Sequence, residues 1–359
     1  MREEENQQEV DLPFTKGRVF ISAFYYHNLL QAYFWSIKYP EIEVLVGGPA
    51  IRYGKFRGFN LPANLKLTSG LAEKVIFRKN SVSNSWNLAI PDTFLNSKKP
   101  LKFSYTLGRR CSWGCCIFCN GFKGEAEKEK LNIGVEYLRV PKRKGVTVVR
   151  INIPTVTQHF IHDELLKLER NDKIYYDFFV RGTEQLLKTF KKTVELMKSG
   201  FGPHPKQLRI VLGIEFPSNR MLDYMNKGTR VNTLLQWLEL AAENNISVGL
   251  PFIYGWDNLT YRDIFKARQF IKTVEGMNIS NIESACFALE VFRDTPLFSI
   301  ISKDRLLPMK RKIFDNGEYA IKLGPVQSSF NKLYRSFIME SALNPVHYGS
   351  FKPGSIHFQ

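Results

Sequence analysis

From residue 101 onward, short apolar segments alternate with longer segments in which apolar residues recur every three or four positions. The short segments predict buried strands of a parallel sheet, and the longer ones predict amphipathic helices. Strands are predicted at 102–107, 147–153, 174–180, 208–214, 246–254 and 282–290. Helices are predicted at 184–199, 231–244 and 260–277, with shorter ones at 161–168 and 219–226. This alternation predicts an α/β fold, a partial (β/α)6 TIM-like barrel with right-handed crossovers.

The first hundred residues hold a smaller pattern of the same kind. An apolar strand at 19–22 precedes an aromatic helical stretch at 29–37, and a second apolar strand ends in Gly47-Gly48-Pro49. This β-α-β unit is too short for a complete nucleotide- or cofactor-binding domain. Residues 52–100 are irregular and predict a connection made of short strands.

Three regions follow from these patterns. Residues 1–100 form the small α/β region and a linker, 101–300 form the barrel, and 301–359 form a C-terminal extension. The extension is rich in aromatic residues and lysine, and it is expected to cap the open side or the mouth of the barrel.

The charge of the chain narrows the choice of partners. There are 51 basic and 34 acidic side chains, which give a formal net charge of +17. Such a field favours nucleic acid, a phosphorylated substrate or another anionic surface. Basic residues concentrate at 123–150 and 303–312, where a solvated basic surface explains the pattern as well as a binding role does.

The sequence predicts neither a membrane-spanning helix nor a signal peptide. No apolar run reaches the roughly 18 residues of a membrane-spanning helix. The first residues, MREEENQQEV, are acidic and polar, unlike a signal peptide. We therefore expect a cytoplasmic protein without a membrane partner.

Cysteines carry the strongest chemical signal. Four of the five fall within nine residues, namely Cys111, Cys115, Cys116 and Cys119. Thiolates at such short spacing wrap a loop around a soft metal centre, and in a cytoplasmic protein they indicate metal or redox ligands. The loop follows the first barrel strand, at the edge where barrels of this kind carry their chemistry. If three of the four bind a [4Fe–4S] cubane, one iron stays open for a small molecule.

Zinc is the competing interpretation of the cysteine cluster. Structural zinc sites usually combine two separated pairs of ligands, and no second cysteine pair exists here. His159 and His162 are three residues apart, but nothing in the sequence connects them to the cysteines.

The run Gly108–Cys119, which ends in Cys116-Ile117-Phe118-Cys119, resembles the cluster loop of radical S-adenosylmethionine (SAM) enzymes that carry a cobalamin-binding domain in front. Their spacing is C-x3-C-x2-C, and here one residue is extra. The ligands are either Cys111, Cys116 and Cys119 or Cys111, Cys115 and Cys119. The first set keeps an aromatic residue before the last cysteine, and the resemblance places Phe118 beside the adenine of SAM.

Later segments resemble the same family in the same order. They are Leu212–Ser218 with Met221–Thr229, Val248–Asp257, and Ala288–Leu297. The resemblance implies that Glu215 and Ser218 contact SAM and that Ile253 and Gly255 line its adenine pocket. It also implies that an acidic turn after the second strand holds the amino group of SAM. Here that turn has no carboxylate, and the candidate substitutes are Thr155 and a backbone carbonyl near Pro154.

Two further features bear on cofactor and substrate. Residues 44–49 resemble the late strand of a cobalamin-binding Rossmann domain, but only the last part of such a domain is present, which puts cobalamin binding in doubt. Arg181 and Glu184 follow the third strand and are candidates for substrate contact, with a surface ion pair as the alternative.

The resemblance implies a radical SAM enzyme with a [4Fe–4S] cluster, SAM, and a reductant of the flavodoxin or ferredoxin type. Neither the substrate nor a catalytic side chain can be assigned. Three alternatives remain open: a cobalamin-dependent methyltransferase, an enzyme that modifies tRNA or another nucleic acid, and a non-enzymatic cysteine–metal protein that binds nucleic acid.

Overall fold

The structure is a computed structural model of the 359-residue chain. It describes residues 16–22, 26–47, 55–56, 61–67, 96, 98, 100–106, 111–119, 140, 144–153, 155–277, 279, 281–293, 295–308, 314–315 and 318–343. The chain folds into two compact units. Unit 1 comprises Met1–Trp86, Val291–Arg293 and Leu306–Ala320, and unit 2 comprises Asn87–Glu290, Asp294–Arg305 and Ile321–Gln359. The predicted boundaries near 100 and 300 stay predictions.

Unit 1 contains the predicted β-α-β unit. Its first elements are β1 (Gly17–Ser22), α1 (Tyr26–Lys38), β2 (Ile42–Gly47), β3 (Lys55–Phe56) and β4 (Leu65–Leu67). The strands β1, β2 and β4 form a parallel sheet in that order. Apolar side chains of α1 pack on this sheet around Leu29, Ile42 and Val44, which are fully buried. The expected Rossmann-like remnant is therefore a three-stranded layer with one helix.

Unit 2 is built on a six-stranded parallel sheet. Its strands are β5 (Leu101–Thr106), β6 (Thr147–Asn152), β7 (Ile174–Val180), β8 (Leu208–Leu212), β9 (Ser247–Tyr254) and β10 (Ile282–Ala288). They lie side by side in chain order, and every neighbouring pair is parallel. All six predicted strands are present, with ends within two residues of the prediction. The predicted α/β fold and partial barrel are confirmed.

Helices follow the strands as expected for βα units. The helices of the barrel are α2 (Glu184–Lys198), α3 (Asn219–Tyr224), α4 (Val231–Glu243) and α5 (Tyr261–Glu275). Each lies within two residues of its predicted bounds. The short helix predicted at 161–168 is instead a π-helix (Phe160–Glu164) followed by a 3-10 turn (Leu165–Lys167), because a helix of so few residues leaves its hydrogen-bonding pattern to tertiary packing.

The chain after β10 continues through short elements. They are β11 (Val291–Phe292), α6 (Pro296–Ile300), β12 (Leu306–Pro308), β13 (Phe314–Asp315), β14 (Glu318–Ile321) and α7 (Pro325–Met339). Strands β11, β14 and β12 form one small sheet, and β13 pairs with β3. Helix α7 packs against β9, β10 and α5, so the covering of the sheet includes residues beyond 300.

The two faces of the barrel sheet differ in polarity. Phe178 packs edge-on against Phe160 of the π-helix, with 5.8 Å between ring centroids, so this face meets the helices. Successive strand residues face opposite sides, so Asp177 and Arg209 lie on the other face. There Arg150, Asp177, Arg209 and Glu283 form a row of ion pairs across β6, β7, β8 and β10, which we call the charged row.

Among the described residues, none of the helices has the length and apolar character needed to cross a membrane.

Candidate functional site

The four clustered cysteines lie beyond the carboxyl end of β5. Cys111, Cys116 and Cys119 line one small cavity together with Gly114. Gly114 has a φ of +62°, a left-handed conformation that lets the loop turn back on itself. Cys115 is exposed and does not line the cavity.

Cys116 is a partly buried thiol. Burial raises the pKa of Cys116 to about 12, and the nearby Lys227 only partly opposes that shift. Cys116 is therefore a protonated thiol at neutral pH until a metal displaces its proton. In the part of the chain that the structure describes, no three His, Cys, Asp or Glu side chains gather around a single metal-ion position.

Backbone hydrogen bonds fix the cysteine loop against two other segments. The N–H of Ile117 donates to the carbonyl of Met225 at 3.1 Å, and the carbonyl of Ile117 accepts from the N–H of Leu297 at 2.9 Å. The side-chain amide of Asn226 donates to the carbonyl of Cys115 at 3.1 Å. The turn after α3 and the start of α6 therefore hold the loop in place, although both are distant in sequence.

Trp113, in the cysteine loop, packs against the turn after α3. Its indole N–H donates to the carbonyl of Asn226 at 2.7 Å, and its ring lies so close to Gly228 that a Cβ there would come within 2.8 Å. The guanidinium of Arg181 lies 4.2 Å from the centroid of the Trp113 ring. Its Nε and Nη1 are buried and have no hydrogen-bond partner among the described residues. Arg181 thus presents a fixed cation beside the cysteine loop.

Lys227 and Glu215 form a buried ion pair beside the cysteines. The Lys227 ammonium lies 2.6 Å from Oε2 of Glu215, and both side chains are about nine-tenths buried. Burial alone would lower the pKa of Lys227, but the carboxylate of Glu215, which also accepts a hydrogen bond from the lysine, outweighs burial, so the pKa is raised and the lysine stays charged. A positive charge is therefore held where thiolates would carry negative charge. We call Lys227–Glu215 the edge pair.

An aromatic group borders the edge pair. The Phe118 ring lies edge-on to the Trp256 ring, with 5.7 Å between centroids. The Lys227 ammonium lies 6.0 Å from the centroid of Phe118. Trp256 is fully buried, and its indole N–H donates to the carbonyl of Ile253 at 2.8 Å. The predicted adenine-side residue Phe118 therefore lies between the turn after β9 and the edge pair.

The other predicted SAM contacts differ in what their side chains do. Thr155 is buried after β6, and its hydroxyl has no hydrogen-bond partner among the described residues. Gly255 adopts a φ of +103°, at the turn where β9 ends. The Ser218 hydroxyl donates to Asp263 at 2.7 Å, which gives it a structural partner. The assignment of Thr155, Glu215, Ser218, Ile253 and Gly255 as SAM contacts stays a prediction.

Glu184 is not part of the cysteine cavity. It is exposed, pairs with Lys188 at 2.8 Å, and lines a separate surface pocket beside Thr229 and Arg230. Of the two residues predicted to contact substrate, Arg181 lies beside the cysteine loop, and Glu184 forms its surface ion pair with Lys188 and not with Arg181.

Sequence reasoning missed Lys227 and Trp113 as site residues. Lys227 stands between Asn226 and Gly228, which both adopt left-handed φ values of +51° and +66°. An Asn-Lys-Gly turn after a short helix is a readable signal for a sharp change of chain direction. It could have indicated that this lysine points away from the surface of the helix.

Comparison with solved structures identifies the fold. The chain matches a cobalamin-dependent SAM radical enzyme, OxsB, with a TM-score of 0.52 and 13% identity in its complex with aqua-cobalamin and SAM, and of 0.51 in its aqua-cobalamin complex. The match covers 89% of this chain and 57% of the OxsB chain, so the chain spans little more than half the length of that enzyme. The likeness establishes the fold and confirms the predicted resemblance at that level.

Other comparisons add less. SuiB from Streptococcus suis matches with a TM-score of 0.36 and 11% identity, over 70% of this chain and 50% of SuiB. No protein-family model matches the sequence, and a search of curated proteins gives no match.

Proposed function

We propose that this chain is a radical SAM enzyme whose [4Fe–4S] cluster is held by Cys111, Cys116 and Cys119. The observation that carries the proposal is the cavity that these three cysteines line at the carboxyl edge of the parallel sheet, while Cys115 is exposed outside it. Three thiolates suit a cubane that keeps one iron for SAM.

The charges around the cavity fit a thiolate-bound cluster. Three thiolates bring negative charge into a partly buried site, which is costly unless cations lie nearby. Lys227 and Arg181 supply fixed positive charge there without leaving their hydrogen-bonded and stacked positions. Both cations also suit the carboxylate of SAM, which carries the opposite charge.

The surroundings of Phe118 fit the nucleoside end of SAM. Phe118 and the turn at Ile253 to Gly255 offer apolar surface and backbone groups, which are the features that bind a purine ring. Glu215 offers a carboxylate for ribose hydroxyls while it pairs with Lys227. Among the described residues, the hydroxyl of Thr155 has no hydrogen-bond partner, so it is available for the amino group of SAM.

When bound, such a cluster supplies one electron that cleaves SAM into methionine and a 5′-deoxyadenosyl radical, and the electron comes from a reductant of the flavodoxin or ferredoxin class. The residues of this chain hold and orient the two cofactors and exclude solvent from them.

Anaerobic reconstitution with iron and sulfide, followed by reduction with dithionite in the presence of SAM, tests the proposal. We expect a [4Fe–4S] spectrum and the formation of 5′-deoxyadenosine. A well-formed cluster that never cleaves SAM would contradict the enzymatic proposal. Binding of zinc in place of iron would contradict the cluster as well.

Single cysteine variants test the ligand set. We expect Cys116→Ser to lose the cluster and Cys115→Ser to keep it, since only Cys116 faces the cavity. Cys286→Ser is the matched control, because Cys286 is a partly buried cysteine of β10 outside the loop. Loss of the cluster in Cys115→Ser and its retention in Cys116→Ser would show that Cys115 is the ligand and Cys116 is not.

A nucleic-acid substrate, such as tRNA, is the second candidate, and the net charge of +17 supports it. Most of the basic segment at 123–150 lies outside the described residues, and so do residues 309–312 of the segment at 303–312. Binding of RNA that weakens steeply with salt would support a nucleic-acid-modifying enzyme. Such binding in a protein that forms no cluster would instead support the non-enzymatic alternative. A corrinoid retained through purification would support a cobalamin-dependent methyltransferase.

A further inference from the structure

Helix α7 turns one face toward the barrel sheet. Its buried residues, Asn331, Tyr334 and Ile338, recur every three or four positions and so share one side of the helix. Two of the three are polar, which is unusual for a face that packs on β9 and β10. A buried polar side chain requires partners, and these partners lie in the candidate site.

Asn331 holds the turn that follows β9. Its Oδ1 accepts from the backbone N–H groups of Gly255 at 2.6 Å and Trp256 at 3.1 Å, and its Nδ2 donates to the carbonyl of Trp256 at 2.7 Å. A second bond from Nδ2 reaches the carbonyl of Gln327 at 2.8 Å. Both donors and the acceptor of the amide are therefore used. Gly255 is left-handed here, and Asn331 supplies the hydrogen bonds that fix this turn.

Tyr334 holds the second turn. Its hydroxyl donates to the carbonyl of Glu215 at 3.1 Å, and its ring lies 4.2 Å from the ring centroid of Phe216. Glu215 has a φ of +55°, a left-handed conformation that is strained for a residue with a side chain and that its surroundings must impose. Tyr334 is one of the groups that impose it.

The two turns meet at Phe118. Trp256, from the first turn, lies against the Phe118 ring, and Glu215, from the second, holds Lys227 over the same ring. We propose that α7 is part of the SAM site, with Asn331 and Tyr334 as positioning residues for the nucleoside end of SAM. The inference rests on the proposed function and deepens it, because it assigns SAM affinity to a helix that lies outside residues 101–300.

This arrangement separates SAM affinity from cluster assembly. The cysteine loop is held by hydrogen bonds to Met225, Asn226 and Leu297, and these bonds do not involve α7. Weakening the hydrogen bonds made by α7 should therefore loosen the two turns and leave the three cysteines in place.

The test uses reconstituted full-length protein and measures three quantities: iron and sulfide content, the Kd for SAM without reductant, and the midpoint of urea unfolding. Asn331→Asp keeps the size of the side chain but loses both donors, and Tyr334→Phe removes only the hydroxyl. Lys332→Ala is the matched control, since Lys332 is an exposed neighbour on the same helix.

We expect full cluster content in all variants. The Kd for SAM should rise about tenfold in Asn331→Asp and about threefold in Tyr334→Phe, which correspond to the loss of one or two hydrogen bonds. Lys332→Ala should bind as the wild type does. Under turnover, the KM for SAM should rise while kcat at saturating SAM stays within about twofold of the wild type.

Three results would overturn the inference. If the wild type binds SAM and Asn331→Asp and Tyr334→Phe bind it equally well, the role of α7 is refuted while the proposed function stands. If the variants lose cluster content and stability along with SAM affinity, α7 has only a structural role. Should Asn331→Asp fail to fold, Tyr334→Phe decides. A wild-type protein that holds its cluster and binds no SAM would refute both proposals.

Discussion

The edge pair and the charged row are both buried ion pairs of the same unit, but they are built differently. The charged row joins side chains of four strands of the sheet, and the guanidinium of Arg209 reaches Glu283 on β10 across Gly249 of β9, where a Cβ would come within 2.9 Å of that guanidinium. The edge pair joins two left-handed turns beside the cysteines. Buried ion pairs add little stability compared with apolar packing. Where each pair lies in the fold therefore indicates what it does. The charged row ties strands together, whereas the edge pair places a charge beside a cavity.

The largest effect is expected from Arg209→Met in the charged row. Arg209 pairs with Asp177 at 3.2 Å and with Glu283 at 2.6 Å, so its loss leaves buried carboxylates with fewer partners. We expect a loss of about 3–5 kcal/mol in the free energy of unfolding, measured with urea. The control is Arg230→Met, because Arg230 pairs with Asp223 at the surface and should lose less than about 1 kcal/mol. Equal losses in the two variants would show that the buried carboxylates Asp177 and Glu283 do not depend on Arg209 as a partner.

The second prediction separates stability from ligand binding at the edge pair. Lys227→Met should lower the free energy of unfolding by about 3 kcal/mol, because Glu215 keeps a buried charge without its partner. Adding Glu215→Gln removes that charge, so the double variant should recover most of the stability. Affinity for SAM, measured by equilibrium dialysis, should stay low in both. If affinity for SAM recovers together with stability, the edge pair has only a structural role, like the charged row.

A smaller effect is expected from the turn that carries Lys227. In Gly228→Ala the new Cβ would lie 2.8 Å from the Trp113 ring, and the φ of +66° disfavours any side chain. We expect a loss of about 1–3 kcal/mol and a lower iron content after reconstitution. Gly200→Ala is the control, because Gly200 is also left-handed at +108° but a Cβ there would meet no atom within 4 Å. It should lose stability and keep its iron content. Equal iron content in both variants would argue that the contact between Trp113 and Gly228 does not help to hold the cluster.

The smallest effect concerns Asp263, a buried carboxylate outside both groups. Burial raises the pKa of Asp263, but hydrogen bonds from Arg220, Ser218 and Thr260 lower it more, so its pKa lies below the usual value. The ionised form therefore stabilises the fold above the unfolded-state pKa of about 3.9, and this contribution disappears as the pH falls through the folded-state pKa. The free energy of unfolding in urea should fall more between pH 5 and pH 3 for the wild type than for Asp263→Asn. Identical pH profiles would show that these hydrogen bonds do not favour the carboxylate.

Much of the fold could be predicted from the sequence because its signals are local. The six strands are short apolar segments, one of which, Leu208–Leu212, is buried throughout, and their limits follow from the polar residues beside them. The amphipathic period of Glu184–Lys198 likewise predicted a helix to within one residue. Helix α7 was not predicted, because its buried face carries Asn331 and Tyr334 where a periodic pattern would have apolar residues.

By itself, the sequence determined the order of strands and helices, the position of the cysteine loop after the first barrel strand, and the candidate ligands within nine residues. These features depend on neighbouring residues, which the pattern of side chains shows directly. Only the tertiary structure distinguished Cys116, which faces the cavity, from the exposed Cys115, and only it brought Lys227, Arg181 and Asn331 to the site. Those placements depend on where distant turns meet, because burial and charge pairing act between segments that lie far apart in the chain.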